Sequence, residues 1–432
     1  MKVGESIGYV MPEWPGQTHL WLWREICHMR EFGASVRLFS TRRPPERDKA
    51  RHAFAAQAEA ETTYLWPAGL WRTLVAIVSC FLRNPAGLFR CIKLAWTLPL
   101  DKPRRLSQLK LIVPACVLAR ETRRGQIGHL HSHAPANSSI LCMMVKRLTG
   151  VPFSQTVNAN IEWWGGAMRE KFHDAAFTLA CTQWMFDQMR RDYPELDASR
   201  VGLCRMAVDV RKWVAVERTP AANGALRVLT VSRLVDSKGH DDLIKAVALV
   251  ANRGHPIHLR IGGAGPEQQA LESLLARLGA GSVVTFLGSL SEEKYLDEMR
   301  AADVFALASH CEPLGVVYME ALATAAAVIG TAAGGVGELI VNGVNGLLVP
   351  PQNPEALAVA IETLLKDPEL RRLLGKAGRQ KVEMEFDSRQ WAAELYRWCY
   401  GELPKGSMGV SPMSSIANGE MQKAMGGTPM LP

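Results

Sequence analysis

Two glutamates, Glu312 and Glu320, stand with seven residues between them in a segment that opens Ser309-His310-Cys311-Glu312-Pro313-Leu314-Gly315. Carboxylates suit the paired hydroxyls of sugar rings, and backbone amides at Leu314, Gly315 and Val316 suit an anion at the start of a helix. At 1.5 Å per residue the two backbones lie about 12 Å apart, so both side chains are expected to line one cleft and touch different parts of a long ligand. Glu320 sits among Val316, Val317, Met319, Ala321, Leu322 and Ala323. A carboxylate in such a helix is either satisfied by a protein partner or serves a ligand. Upstream, Arg233 and Lys238 lie five apart in Val231-Ser232-Arg233-Leu234-Val235-Asp236-Ser237-Lys238-Gly239. An Arg fork and a mobile Lys charge can share one phosphate-bearing ligand in the crevice that open α/β sheets use. Between them and the glutamates runs Ile261-Gly262-Gly263-Ala264-Gly265-Pro266. Gly263 and Gly265 would let backbone amides approach a ligand, although tight turns also need Gly for packing.

Each of these loops needs a strand before it and a helix after it, and the sequence supplies both. From Leu226–Val231 onward, strands at 258–261, 283–286, 304–307 and 327–330 alternate with helices at 241–252, 266–278, 291–302 and 312–324. The loop-rich stretch 334–349 and helices at 354–366 and 368–385 follow. This is a parallel α/β domain. The first half shows the same grammar: strand 7–11, loop 12–16, helix 18–32 stopped by Gly33, and strand 36–39. Ile127–His133 runs into a helix at 137–148, and 153–157 and 177–181 are further short strands. Residues 218–224 have the composition of a linker, and from Lys405 the chain loses apolar periodicity.

With 432 residues, 48% of them hydrophobic and 21% charged, the chain can bury two or three cores, which excludes wholesale disorder. Nine Cys, with no Cys-x-x-Cys pair, argue against a zinc ribbon or a disulfide scaffold and fit a reducing cytosol. Nothing near Met1 reads as a signal peptide, and the apolar run 74–82 falls short of the roughly 20 residues of a spanning helix. The net charge of +8 is uneven. Residues 66–130 carry eleven Lys and Arg against Asp101 and Glu121, a local +9 that leaves −1 for the rest. These cations lie among Trp71, Leu74, Ile77, Phe81, Phe89, Ile92 and Trp96, a mixture suited to an anionic membrane surface or a phosphorylated partner. Ordinary amphipathic helices with solvated cations are the alternative. Nucleic acid is not expected, because no binding module accompanies the charge.

The combination of Glu312 and Glu320 with Arg233, Lys238-Gly239 and Gly263-x-Gly265-Pro266 resembles the family 4 glycosyltransferases of the GT-B fold. Gly334-Gly335-Val336-Gly337-Glu338, Asn342-Gly343-x-x-Gly346-Leu347-Leu348-Val349-Pro350-Pro351 and Pro354-x-Ala356-Leu357-Ala358 fit the same pattern. The match is dense from about 225 to 390. More loosely, Ile7–Pro12, Arg24-Glu25-Ile26, His131-Ser132-His133, Leu148–Phe153 and Met206–Asp209 are similar to the branch that builds bacterial exopolysaccharides such as colanic acid.

The resemblance implies two Rossmann-like doubly wound domains facing across a cleft. Residues 1–215 would form the acceptor side and 216–385 the nucleotide-sugar side, with a helix in 386–404 crossing back and 405–432 a disordered tail. Arg233 and Lys238 would hold the donor diphosphate and stabilise the departing nucleotide. Glu312 would contact the donor sugar, Glu320 the ribose, and Gly16 would close over the phosphate from the other domain. Transfer would retain configuration without a metal or cofactor, onto a lipid-linked oligosaccharide at the inner face of the membrane. One departure stands out: in Thr156-Val157-Asn158-Ala159-Asn160-Ile161-Glu162, Asn158 takes the place of the family's His. Asn can bond a sugar hydroxyl but carries no proton charge, which implies an altered donor, another His in the role, with His133 the candidate, or loss of activity. His131 and His133 could equally be packed strand-end residues. Two other classes compete: a non-catalytic sugar-nucleotide-binding member of the fold, favoured by Asn158, and a nicotinamide-dependent enzyme using the 262–265 loop. The second is disfavoured because the first strand–helix turn here is Arg-Leu-Val-Asp-Ser-Lys-Gly, not Gly-x-Gly-x-x-Gly.

Overall fold

The computed structural model describes residues 5–46, 49–50, 52–102, 105–219, 221 and 224–404. The expected tail at 405–432 and part of the 218–224 linker lie outside them. The first domain comprises β1 (Ser6–Glu13), α1 (Leu20–Glu31), β2 (Val36–Arg42), α2 (Ala55–Glu61), β3 (Thr62–Tyr64), α3 (Leu70–Arg83) and α4 (Pro85–Thr97). It continues through α5 (Arg105–Lys110), α6 (Ile112–Arg124), β4 (Ile127–Ser132), α7 (Asn137–Thr149) and β5 (Phe153–Val157). α8 (Met168–Asp174), β6 (Thr178–Ala180), α9 (Gln183–Asp192) and β7 (Val201–Leu203) complete it. The second domain opens with β8 (Leu226–Val231), α10 (His240–Asn252), β9 (Ile257–Gly262), α11 (Gln268–Leu278), β10 (Val284–Gly288) and α12 (Glu292–Ala301). It goes on through β11 (Val304–Ala306), α13 (Val316–Ala323), β12 (Ala327–Thr331), α14 (Val336–Leu339) and β13 (Leu347–Val349). Helices α15 (Pro354–Lys366), α16 (Pro368–Glu385) and α17 (Ser388–Tyr400) end the described chain.

The two sheets are parallel, in the orders β3-β2-β1-β4-β5-β6-β7 and β10-β9-β8-β11-β12-β13. Helices cover both faces, which is why β1 buries Ile7, Tyr9, Val10 and Met11 on successive positions with little alternation. β1 runs two residues past its expected end at Met11, because Glu13 pairs in register with Arg42 and accepts from its Nε at 2.7 Å. The three-residue strands β3, β7 and β13 were not expected: each is too short to show a period of two.

The chain changes domain twice, at one place. The Val208 amide donates to the Phe386 carbonyl at 3.0 Å, and the Ser388 amide to the Val208 carbonyl at 2.9 Å. Val208, Val210 and Trp213 pack in the second domain with Val382 and Phe386. Beyond Asp387 the chain returns, and Trp391, Leu395, Tyr396 and Cys399 of α17 pack with Ile7, Tyr9 and Trp23 of the first domain.

Candidate active site

Each sheet reverses its strand order once, between β1 and β4 and between β8 and β11. Loops leaving the carboxyl ends on either side of such a reversal diverge and open a crevice. Most of the expected site residues leave from these loops: Gly16 after β1, His133 after β4, Arg233 and Lys238 after β8, Glu312 after β11. Asn158 follows β5, next to β4. The two crevices meet in a cavity of about 280 Å³. Gly16, His133, Asn158 and Trp164 line it from the first domain, and Arg233 from the second. Arg233 is exposed, and its guanidinium has no protein partner among the described residues.

Lys238 does not stand beside Arg233 on that wall. Its Nζ is paired with Glu312 Oε2, to which Ser309 Oγ also donates at 3.4 Å. Glu312 is 7% exposed, so a charged carboxylate there needs this cation. Gly334 and Gly335 hold the loop from behind. A Cβ at Gly334 would fall 2.3 Å from the Glu312 carbonyl oxygen and one at Gly335 2.0 Å from that of Pro313. The Gly335 amide donates to the Glu312 carbonyl at 3.0 Å. Leu314 is fully buried in the core beneath α13, and Gly315, at φ +81°, turns the chain into that helix. The Tyr318 amide donates to the Gly315 carbonyl at 3.0 Å, whereas those of Val316 and Val317 have no acceptor among the described residues.

Two expectations need correction. Glu312 and Glu320 do not share one cleft: Glu320 is 4% exposed and turned to the domain junction. There Arg24 Nη1 donates to its Oε1 at 3.1 Å and the Tyr295 hydroxyl to its Oε2 at 2.6 Å. Burial raises the Glu320 pKa against the opposing pull of Arg24, and burial with Glu320 alongside raises that of Tyr295. A counter-ion from α1 has taken the carboxylate that spacing alone assigned to the cleft. Gly263 likewise does not offer its amide, which donates to the Gly288 carbonyl at 2.8 Å. A Cβ at Gly263 would lie 1.9 Å from the Ser232 carbonyl oxygen and one at Gly265 2.1 Å from that of Leu234. Close packing of β9's loop on β8's loop therefore explains both glycines.

The two histidines separate clearly. His131 uses both ring nitrogens, at 2.7 Å from Ser154 Oγ and 3.1 Å from Thr156 Oγ1, and burial drives its pKa far down. It is a packed core residue. His133 Nε2 meets Glu25 Oε1 at 2.7 Å, and Tyr9 donates to the same oxygen at 2.9 Å. Its buried Nδ1 has no partner among the described residues, and the side chain lines the cavity. Asn158 Nδ2 donates to the His133 carbonyl at 2.6 Å, leaving a buried Oδ1 without a partner among the described residues. Two residues of the cavity wall thus carry an unused ring nitrogen and an unused amide oxygen.

Sequence reasoning missed Glu25, Arg24 and Glu338 as working carboxylates and cations. Glu338 accepts from the Gln183 and Trp184 amides at 2.8 and 2.6 Å, at the start of α9 in the other domain, and from Arg205 at 3.1 Å. The available signal was charge inside an apolar helical stripe: Arg24 and Glu25 interrupt Leu22, Ile26 and Met29. A possible cation-binding group, Asp241, Asp242 and His310, has donor atoms within 4.8 Å of one another. Lys245 pairs with both aspartates, and His310 Nε2 lies 3.1 Å from Asp242, so its charge is already answered by the protein.

This arrangement has relatives. Residues 212–381 match the family model of the group 1 glycosyl transferases. The matched residues make up most of the second domain. A glycogen synthase of Mycobacterium tuberculosis is 28% identical over 279 residues, covering 61% of this chain and 66% of that protein. The chain thus spans just under two thirds of that relative's length. The alpha-D-kanosaminyltransferase of Streptomyces kanamyceticus is 29% identical over 60% of this chain and 73% of its own. Among solved structures, Anabaena Alr3699/HepE with UDP-glucose superposes with a TM-score of 0.69 at 17% identity, covering 91% of this chain and 99% of HepE. Sucrose-phosphate synthase from Thermosynechococcus elongatus gives 0.70 at 19% identity over the same shares. The fold is GT-B: the domain that carries the match faces a second Rossmann-like domain across the cavity.

Proposed function

We propose that the protein is a retaining, metal-independent glycosyltransferase that moves a sugar from a nucleotide donor to a lipid-linked glycan. We place it in bacterial exopolysaccharide assembly at the cytoplasmic face of the membrane. The observation that carries this reading is the cavity where Arg233 of the second domain meets Gly16, His133 and Asn158 of the first. HepE has been solved with UDP and with UDP-glucose, which supports a nucleotide-sugar donor here. In this reading Arg233 and the α13 amides take the diphosphate, whose charge grows as the sugar leaves. Lys238 is half-buried and shares itself between Glu312 and the phosphate, leaving Glu312 to the sugar hydroxyls. His133, fixed by Glu25, and Asn158 bond the sugar from the opposite wall. In this reading the positive charge of Arg233 and Lys238 does the work that a divalent metal does in other transferases.

The test is calorimetry with UDP, GDP, ADP and TDP, followed by transfer assays with the sugars of whichever binds and NMR of the anomeric product. No binding of any nucleotide overturns the donor site, and an inverted product overturns retention. Asn158 favours a second reading, a non-catalytic sugar-nucleotide-binding protein. Transfer or donor hydrolysis by Asn158→His alone, with none by the wild type, would establish it.

A further inference from the structure

Helices α3 and α4 are built inside out. The residues they bury are small: Ala76 and Cys80 on α3, and Gly87, Cys91 and Ala95 on α4. Gly87, Cys91 and Ala95 recur every four residues, a seam that lets the helix lie close to α7. The large apolar side chains face outward instead. Trp71 is 79% exposed, Leu82 73% and Phe89 68%, with Phe81, Val78 and Trp96 also more than half exposed. On α3 they fall at 70, 71, 74, 75, 78, 81 and 82, one continuous helical stripe. Soluble monomers rarely leave such a surface open, and a patch of this kind marks a contact.

The charge around it selects the partner. No Asp or Glu occurs from Thr62 to Leu100, whereas Arg83, Arg90 and Lys93 stand beside the apolar residues, and Arg105 lies over the Trp96 ring at 4.8 Å. A second copy docking here by two-fold symmetry would bring cations against cations with no acid within these helices to answer them. An anionic lipid surface answers both the apolar stripe and the cations. Among the described residues no single helix is long and apolar enough to cross a membrane; α3 and α4 reach that length and composition only together, and they meet at 110°, a bend that suits lying along one leaflet. Trp66, just before α3, also lines a cavity of about 660 Å³ that shares Pro12, Glu13 and Trp164 with the donor cavity. An amphiphile held in the leaflet under α3 has a lined path to the site.

We infer that the outer face of α3 and α4 inserts into one leaflet of an anionic bilayer, chiefly by its apolar stripe, and delivers a lipid-borne acceptor through the Trp66 cavity. This rests on the lipid-linked acceptor proposed above. The test uses the full chain and sedimentation with vesicles of phosphatidylcholine, with and without phosphatidylglycerol. Trp71→Gln/Phe81→Gln/Phe89→Gln alters exposed positions only and should keep the wild-type melting temperature. It should lower partition about tenfold or more at both low and high salt. Arg83→Glu/Lys93→Glu should weaken binding mainly at low salt. In the wild type, brominated lipid should quench tryptophan emission. Wild type that stays in the supernatant, or a triple variant that partitions like it, overturns the inference. So does a triple variant that only converts a dimer to a monomer. Partition is read without turnover, so failure of the transferase reading would leave these results standing.

Discussion

Alanine at Arg233 and at Lys238 should separate ligand binding from folding. Arg233 is exposed and has no protein partner among the described residues, so its loss leaves the fold as it was. Removing one charge-assisted phosphate contact costs about 1.5–3 kcal/mol, roughly ten- to a hundredfold in donor affinity. Lys238→Ala loses a similar contact and also strands Glu312, which is 7% exposed and keeps only the Ser309 hydroxyl. Breaking a fully buried pair costs about 3–5 kcal/mol. The Lys238 side chain is 23% exposed, so water relieves part of this, and about 1–3 kcal/mol remains. At roughly 2–4 °C per kcal/mol, the melting temperature should fall by several degrees. Glu312→Gln in the Lys238→Ala background removes the stranded charge and should restore the melting point without restoring turnover. Scanning fluorimetry and titration calorimetry with nucleoside diphosphates measure both quantities. The reasoning fails if Arg233→Ala melts as low as Lys238→Ala. It fails equally if Arg233→Ala binds every nucleotide as tightly as the wild type.

Glu25→Gln should lower kcat about tenfold with little change in donor affinity, because Glu25 orients His133 and does not line the cavity; a change confined to KM would refute that role. Glu338→Ala leaves the Gln183 and Trp184 amides and Arg205 without their acceptor, and should cost about 1–3 kcal/mol by urea denaturation. Glu320 has a raised pKa in the fold, so the native state holds its proton longer than the unfolded chain does. Stability from this group is therefore complete below the ordinary carboxylate value and falls as pH rises towards the raised one. Glu320→Gln abolishes that fall, so the variant should gain on the wild type in denaturation series run upward from about pH 4. A parallel pair of curves would show that Arg24 keeps Glu320 charged throughout.

Loop positions were legible because they obey local rules. A strand of β-branched and aromatic residues, a Gly or charged loop, and a capped helix place Gly16, Arg233, Lys238 and Glu312 at strand ends without reference to anything distant. What those side chains touch was not legible. Arg24 meets Glu320 across 296 positions, Glu338 reaches α9 across 155, and His133 reaches Glu25 across 108. The helix expected over 312–324 begins only at Val316, so Glu320 stands about one turn into α13 rather than two turns beyond Glu312, and its direction is decided by the cation that the other domain brings to it. Once Arg24 of α1 comes within reach of Glu320 on α13 and Glu292 on α12, the buried Arg24 needs a carboxylate and the buried Glu320 needs a cation, and each satisfies the other more cheaply than water can. The same reasoning accounts for Lys238 and Glu312 within one domain. Both glutamates singled out for their chemistry therefore already hold protein cations, and a donor that uses either must compete for it. On the proposed function, Arg233, exposed and without a protein partner among the described residues, is the cation placed to meet an incoming phosphate first, and donor recognition should turn on it.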